Sequence, residues 1–229
     1  MKRFSLISVA VLVASAGALR AQDTVITKIP SPYVDFEQRH GFTFLVGYFA
    51  GNTGDAGVGP QGSLDLGLMY HRHVSGPVFA AARFQYAPSQ RDVIDPTLPK
   101  AQQNTGPVSS PLYMFDLSLD LAVTGEKVWH GMIPTVGFAL GAAYDPQKPD
   151  PGGYSFGTQF YLGLGAGVAY HIKGHWVGRV DFWDFLWQLH YPPSYFTSGP
   201  NSVLPVNNPD KQWTNNAVFT VGLTYSIAH

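Results

Sequence analysis

Ser63-Leu64-Asp65-Leu66-Gly67-Leu68-Met69-Tyr70-His71 carries a two-residue period. Leu64, Leu66, Leu68 and Tyr70 alternate with Ser63, Asp65, Gly67 and His71. Successive side chains of an extended strand point to opposite faces, so one face here is apolar and the other polar. A helix would need a period of 3.6, which this stretch lacks. Residues 114–124 repeat the design: Phe115, Leu117, Leu119, Leu121 and Val123 share one face, and Asp116, Ser118, Asp120 and Thr124 the other. At 156–171 the two faces are Phe160, Leu162, Leu164, Val168 and Tyr170 against Gln159, Gly163, Gly165, Gly167 and His171.

The same pattern predicts eight strands, near 41–50, 62–74, 77–87, 112–124, 128–144, 155–171, 176–190 and 212–228, the sixth and fifth being the longest. In the seventh, Val180 and Phe182 share one parity and Phe185, Trp187 and Leu189 the other, which predicts a bulge near Trp183-Asp184. The connections alternate long and short. Short ones fall at Ser75-Gly76, Gly125-Glu126-Lys127 and Ile172-Lys173-Gly174-His175, and long ones at about 51–61, 88–111, 145–154 and 191–211. Of the 18 prolines, 14 lie in the four long loops, where no ladder N–H is needed. Short turns at one end and long loops at the other are the signature of a membrane-spanning barrel.

Composition agrees. The 229 residues are 13% charged and 14% aromatic, with no Cys and a formal net charge of -1. Those values exclude a basic nucleic-acid binder, a disulfide framework and a cysteine metal site. Past the first 21 residues, no run reaches the ~18 apolar residues of a membrane helix. Residues 1–21 read as a secretory signal peptide: Met1-Lys2-Arg3 is a positive start, Phe4 to Ala16 an apolar stretch, and cleavage follows Ala18 or Ala21. The expected organisation is a signal peptide at 1–21, a periplasmic N-terminal segment at 22–40 and a barrel at 41–229.

The expected fold is all-β, an eight-stranded antiparallel up-and-down transmembrane β-barrel. A strand in lipid must have every backbone polar group bonded, so the sheet has to close. The all-apolar face (Phe42, Phe44, Val46, Tyr48 and onward) should meet lipid. The face carrying charges and small residues (Gly137, Ala139, Gly141, Ala143) should line a narrow lumen. Tyr70, Trp129, Tyr170, Trp176 and Tyr225 near the short turns, and Tyr86, Tyr113, Tyr144, Trp187, Tyr191 and Trp213 near the long loops, form two interfacial girdles.

Val136-Gly137-Phe138-Ala139-Leu140-Gly141, Leu162-Gly163-Leu164-Gly165-Ala166-Gly167-Val168 and the closing strand resemble the small eight-stranded outer-membrane barrels, the OmpA-like transmembrane domain family. The closing strand carries Phe219, Val221, Leu223, Tyr225 and Ile227 in alternation up to His229, which stands where those families usually have Phe. The resemblance implies outer-membrane lipids, lipopolysaccharide and the barrel-assembly machinery as partners, a monomer, and an outer-membrane location. It implies no particular activity.

The lumen is expected to hold Asp65, His71, Arg83, Asp116, Asp120, Arg179 and Asp181. Charges in a narrow barrel must be paired or hydrated, so a salt-bridge network around Arg83 and Arg179 is expected. A cation-favouring path is the sharper alternative, since four Asp face two Arg. His71 and His73 have a spacing that could hold a metal, but a third ligand is missing. Asp116 and Asp120 stand ~13 Å apart on one strand face, too far for paired acid–base work. His190, Ser194 and Asp184 form too loose a set for a hydrolase. The Gly163-x-Gly165-x-Gly167 pattern lies in a strand, not a phosphate-binding turn. Tyr195 and Phe196 are apolar loop residues that could contact a partner. The expected role is therefore structural or surface-interacting, non-enzymatic, without cofactor or nucleic acid. A narrow channel, a lipid A-modifying enzyme and a soluble lipocalin-like binder are the alternatives.

Overall fold

The computed structural model describes residues 33–35 and 40–227. The signal-peptide reading, most of the N-terminal segment and His229 lie outside them. Eight long strands, numbered here along the chain, are β1 (His40–Ala50), β2 (Ser63–Ser75), β3 (Val78–Ala87), β4 (Leu112–Ala122), β5 (Met132–Tyr144), β6 (Thr158–Lys173), β7 (Trp176–His190) and β8 (Lys211–Ile227). Each pairs antiparallel with its chain neighbour, and β8 pairs with β1 from Ala217↔Ala50 to Ile227↔His40. The sheet is thus a closed eight-stranded up-and-down barrel. Closure matters because each unpaired ladder group in an apolar medium costs several kcal/mol.

The strand count and alternation match the sequence reading, with four differences. The fifth segment breaks at His130-Gly131, where both residues take positive φ of 50° and 83°. Lys127–Trp129 is thereby split off as a short strand that pairs with Tyr33–Asp35 and keeps one pairing to β5, Trp129↔Met132. The long 88–111 connection is not irregular. It folds into a hairpin of Gln90–Ile94 with Asn104–Ser109. The longest strand is β8, not the fifth or sixth.

The fourth difference is in β7. Its pairing with β6 runs in unbroken register from Tyr161↔Trp187 to His171↔Val177, and its pairing with β8 has no shift, so no bulge occurs at Trp183-Asp184. Asp181, Trp183, Phe185, Trp187 and Leu189 all point inward. What changes along β7 is the chemistry of the lumen, polar near the turns and aromatic near the loops.

Outside, the alternation leaves a belt of large apolar side chains in the open. Phe44, Leu68, Phe84 and Phe115 are cross-strand neighbours in one row, and Phe160 further round is 81% exposed. Trp129, Tyr170, Trp176 and Tyr225 border the belt at the turn end, and Tyr113, Tyr144 and Trp213 at the loop end. A continuous apolar surface of this extent has no stable place in water.

Candidate functional site: lumen and loop lid

Most of the charged inward side chains are paired with a glycine across the ladder. His71 faces Gly41, Asp65 faces Gly47, Asp116 faces Gly141, Asp120 faces Gly137, Asp181 faces Gly167 and Arg179 faces Gly222. The glycines provide the room: a Cβ on Gly167 would sit 2.2 Å from Asp181 Oδ1, and one on Gly41 2.3 Å from His71 Cε1. Eight strands leave an interior only wide enough to fill with side chains, so alternating large and small residues is the geometric solution.

All seven predicted lumen residues point inward, and the structure sorts them into groups. Arg83 and Asp116 are cross-strand partners, with Arg83 Nη2 donating to Asp116 Oδ1 at 3.0 Å and Nε to Oδ2 at 3.1 Å. Tyr161 Oη donates to the same carboxylate at 2.9 Å. The Arg83 guanidinium lies 4.1 Å from the centre of the Trp183 ring, so it bridges the polar and aromatic parts of the lumen. Lower down, Arg179 Nε and Nη2 donate to Asp181 at 2.6 and 2.7 Å. Asp65 accepts from Gln85 Nε2 at 2.6 Å. Asp120 and His71 line a turn-side cavity of about 40 Å³ together with Arg179, Thr135 and Thr224. The seven residues therefore form two ion pairs and separate polar contacts. Asp65 and Asp120 each keep one buried carboxylate oxygen without a hydrogen bond, the kind of site that buried water fills.

Above Arg83 large apolar side chains dominate the lumen, with Asp65, Gln85, Thr214 and Asn216 buried among them. Phe49, Leu112, Met114, Phe185, Trp187 and Leu189 are fully buried there, and Tyr161 packs against Phe185 and Trp187. The polar filling expected from sequence is thus joined, toward the loops, by an aromatic and aliphatic plug.

The long loops close over this aromatic plug. Arg91, at the start of the loop hairpin, donates to both carboxylate oxygens of Asp150, at 2.5 and 2.7 Å, and stands 3.8 Å from Asp145. The Arg91 guanidinium also lies 5.3 Å from the Tyr154 ring centre. Tyr154, Tyr191 and Tyr195 stack in a row beside it. Lys100 donates to the Ser202 carbonyl, Gln103 Nε2 to Asn201 O, and Ser194 Oγ to Gly152 O, which ties three loops together. Burial pushes the Tyr154 and Tyr195 hydroxyls above the ordinary tyrosine pKa, Tyr154 against the pull of Arg91. Arg91 gave no signal in the sequence, because nothing there shows that residues 54 to 59 positions apart meet. Tyr195, considered as a partner-contacting residue, is instead fully buried in the lid.

The other sequence candidates are not brought together. His190 ends β7, Ser194 is committed to Gly152, and Asp184 accepts from Asn215 at 2.7 Å on the outer side. His73 bonds the Gly76 carbonyl at 2.7 Å, and His71 packs edge-on against Phe79. Among the described residues no group of three metal-ligating side chains gathers.

A closed sheet, an apolar belt outside and charges inside leave one architecture. It is that of a small eight-stranded membrane barrel. Solved structures similar to it include the outer membrane protein OprG of Pseudomonas aeruginosa (13% identity, 84% of this chain and 98% of that one, TM-score 0.49). The N-terminal β-barrel domain of OprF from the same organism is 11% identical over 83% of this chain and 98% of its own, with a TM-score of 0.42. Ail of Yersinia pestis, in a phospholipid bilayer nanodisc, is 11% identical over 83% of this chain and all of its own, with a TM-score of 0.40. No protein-family profile matches the sequence, and no curated protein does.

Proposed function

We propose that this chain is an integral outer-membrane barrel, exported by a cleaved signal at 1–21, with a structural or surface-interacting role and no catalytic one. The observation that carries the reading is the apolar belt on a closed barrel whose polar side chains are inside. In a lipocalin-like binder the faces would be reversed. Two features favour a sealed barrel over the narrow channel: the aromatic plug and the Arg91-centred lid stand in series along the lumen. The lid also offers a braced surface from which exposed loop segments can meet a partner, since recognition commonly sits on loops held by a rigid scaffold. Lipopolysaccharide around the loop end and the barrel-assembly machinery acting on Phe219–His229 are the partners this reading carries, with a monomer as the working unit.

The test is heat-modifiability of the full chain in isolated outer membranes, followed by planar-bilayer recording. The expected result is an SDS-resistant band that shifts on boiling, and no stepwise conductance. Recovery in the soluble fraction without a heat shift would overturn the membrane reading. Regular conductance steps would favour the narrow channel, and altered lipid A mass spectra the enzyme.

A further inference from the structure

Among the described side chains, the two ends of the barrel differ in charge. At the loop end, acidic side chains lead: Asp55, Asp92, Asp95, Asp145, Asp150 and Asp210 against Arg91, Lys100, Lys148 and Lys211. At the turn end the order reverses. Arg72, Lys127 and Lys173 are exposed there, and among the described side chains Glu126 is the one exposed acidic residue. Asp35 is opposite Lys127 in the backbone register, so Arg72 and Lys173 are the cations with no acidic strand neighbour. Histidines cluster at the same end. His40, His130, His171 and His175 lie at this rim, and His40 Nδ1 and His175 Nδ1 are each held in place by one bond, to Tyr70 Oη at 2.7 Å and to Ser226 O at 2.9 Å.

This collar stands just beyond the aromatic border of the belt. Arg72 is two residues past Tyr70 on the same outward face, and Lys173 is three residues before Trp176. A cation at that height reaches the headgroup layer while its aliphatic stem stays on apolar surface. Basic residues at a membrane surface are attracted to anionic lipid, and imidazole N–H groups can donate to phosphate oxygens.

We propose that the turn-end collar, whose exposed cations without an acidic strand neighbour are Arg72 on β2 and Lys173 at the end of β6 on the far side of the barrel, binds the phosphates of separate anionic phospholipid headgroups in the leaflet facing the short turns. The proposal rests on the membrane-barrel reading above. The charge reversal along the barrel axis selects this lipid class: the collar complements an anionic headgroup, and the acidic loop end does not.

The test uses the full chain refolded into vesicles of phosphatidylcholine and phosphatidylglycerol in equal parts. Retained lipids are counted by native mass spectrometry after mild detergent extraction. Wild type is expected to keep phosphatidylglycerol in preference, and R72Q/K173Q to lose that preference roughly tenfold. The loop-end control K148Q/K211Q should behave as wild type. Equal retention of both lipids, or an unchanged R72Q/K173Q, would overturn the proposal. So would a preference lost in K148Q/K211Q instead, which would place the anionic-lipid contact at the loop end. Every sample is first checked for the heat shift, so failure of the barrel reading appears as its absence, separately from lipid choice.

Discussion

Gly165 lies directly opposite Trp183 in the β6–β7 ladder, and the indole fills the space a side chain on Gly165 would need. A Cβ there would stand 2.4 Å from the middle of the ring system. The ring is rigid and wedged between Arg83 and Phe185, so it has no room to retreat. Gly165→Ala should therefore cost on the order of 1–3 kcal/mol by overpacking. The comparison is Gly178→Ala, where the nearest atom is 3.5 Å away and little change is expected. The measurement is the temperature at which the SDS-resistant form of each variant converts. Equal temperatures for the two variants would show that the lumen packs more loosely than described.

Arg83 neutralises a carboxylate that nothing else charged contacts within hydrogen-bond distance. Arg83→Met leaves Asp116 buried with Tyr161 as its remaining hydrogen-bond donor, and should cost about 3–5 kcal/mol. Adding Asp116→Leu should recover much of that loss, because removing both charges avoids the uncompensated one. A double variant as unstable as R83M would mean that shape, not charge, is what the pair supplies.

The lid should loosen in alkali. Its Tyr154 and Tyr195 phenols have their folded pKa raised by burial, so the folded lid favours the protonated form. That contribution is fully present below the unfolded phenol's value of about 10 and is lost as pH rises beyond it. Limited proteolysis of the 88–111 and 191–210 loops should accelerate above that pH. Arg91→Ala should produce the same acceleration at neutral pH, because it unties the hairpin from Asp150. Loops of the variant as resistant as wild type would show that the tyrosine stack alone holds the lid.

The belt makes a directional prediction. Leu117 points outward at mid-strand, so Leu117→Arg should destabilise the barrel in lipid by about 2–4 kcal/mol. The exposed Lys148, in a loop, should accept Ala with little effect. Denaturant titrations in vesicles read both. A tolerated arginine at 117 would mean that the outward face does not meet hydrocarbon.

The eight strands and the direction of their faces were legible because β2 and β4 alternate without interruption. The division of the lumen was less so. Along β7, the shift from Asp181 to Trp183 and Phe185 looks like a change of face, although it is a change of environment on one face. Alternation reports which side chains share a side, but not whether that side is wet or dry at a given height. The glycines opposite six of the seven lumen residues were hidden too, since Gly137 and Asp120 meet only once the ladder register is known. The lid was the least readable part, because Arg91, Asp150 and Tyr195 come from three loops with no periodicity.

The seam between β8 and β1 sets a schedule for assembly. Every other joint links strands that follow one another and can zip from a turn or loop. This one matches Thr43 to Thr224, whose hydroxyls meet at 2.7 Å across 181 positions of chain. Until those residues meet, both outer ladders offer open hydrogen-bonding edges, which in a crowded envelope invite pairing with the wrong chain. The C-terminal strand thus acts as a latch: a synthesis that stops short of it leaves seven strands with all their greasy surface and two sticky borders. A cell making this protein would have reason to recognise that strand before committing the chain to the bilayer.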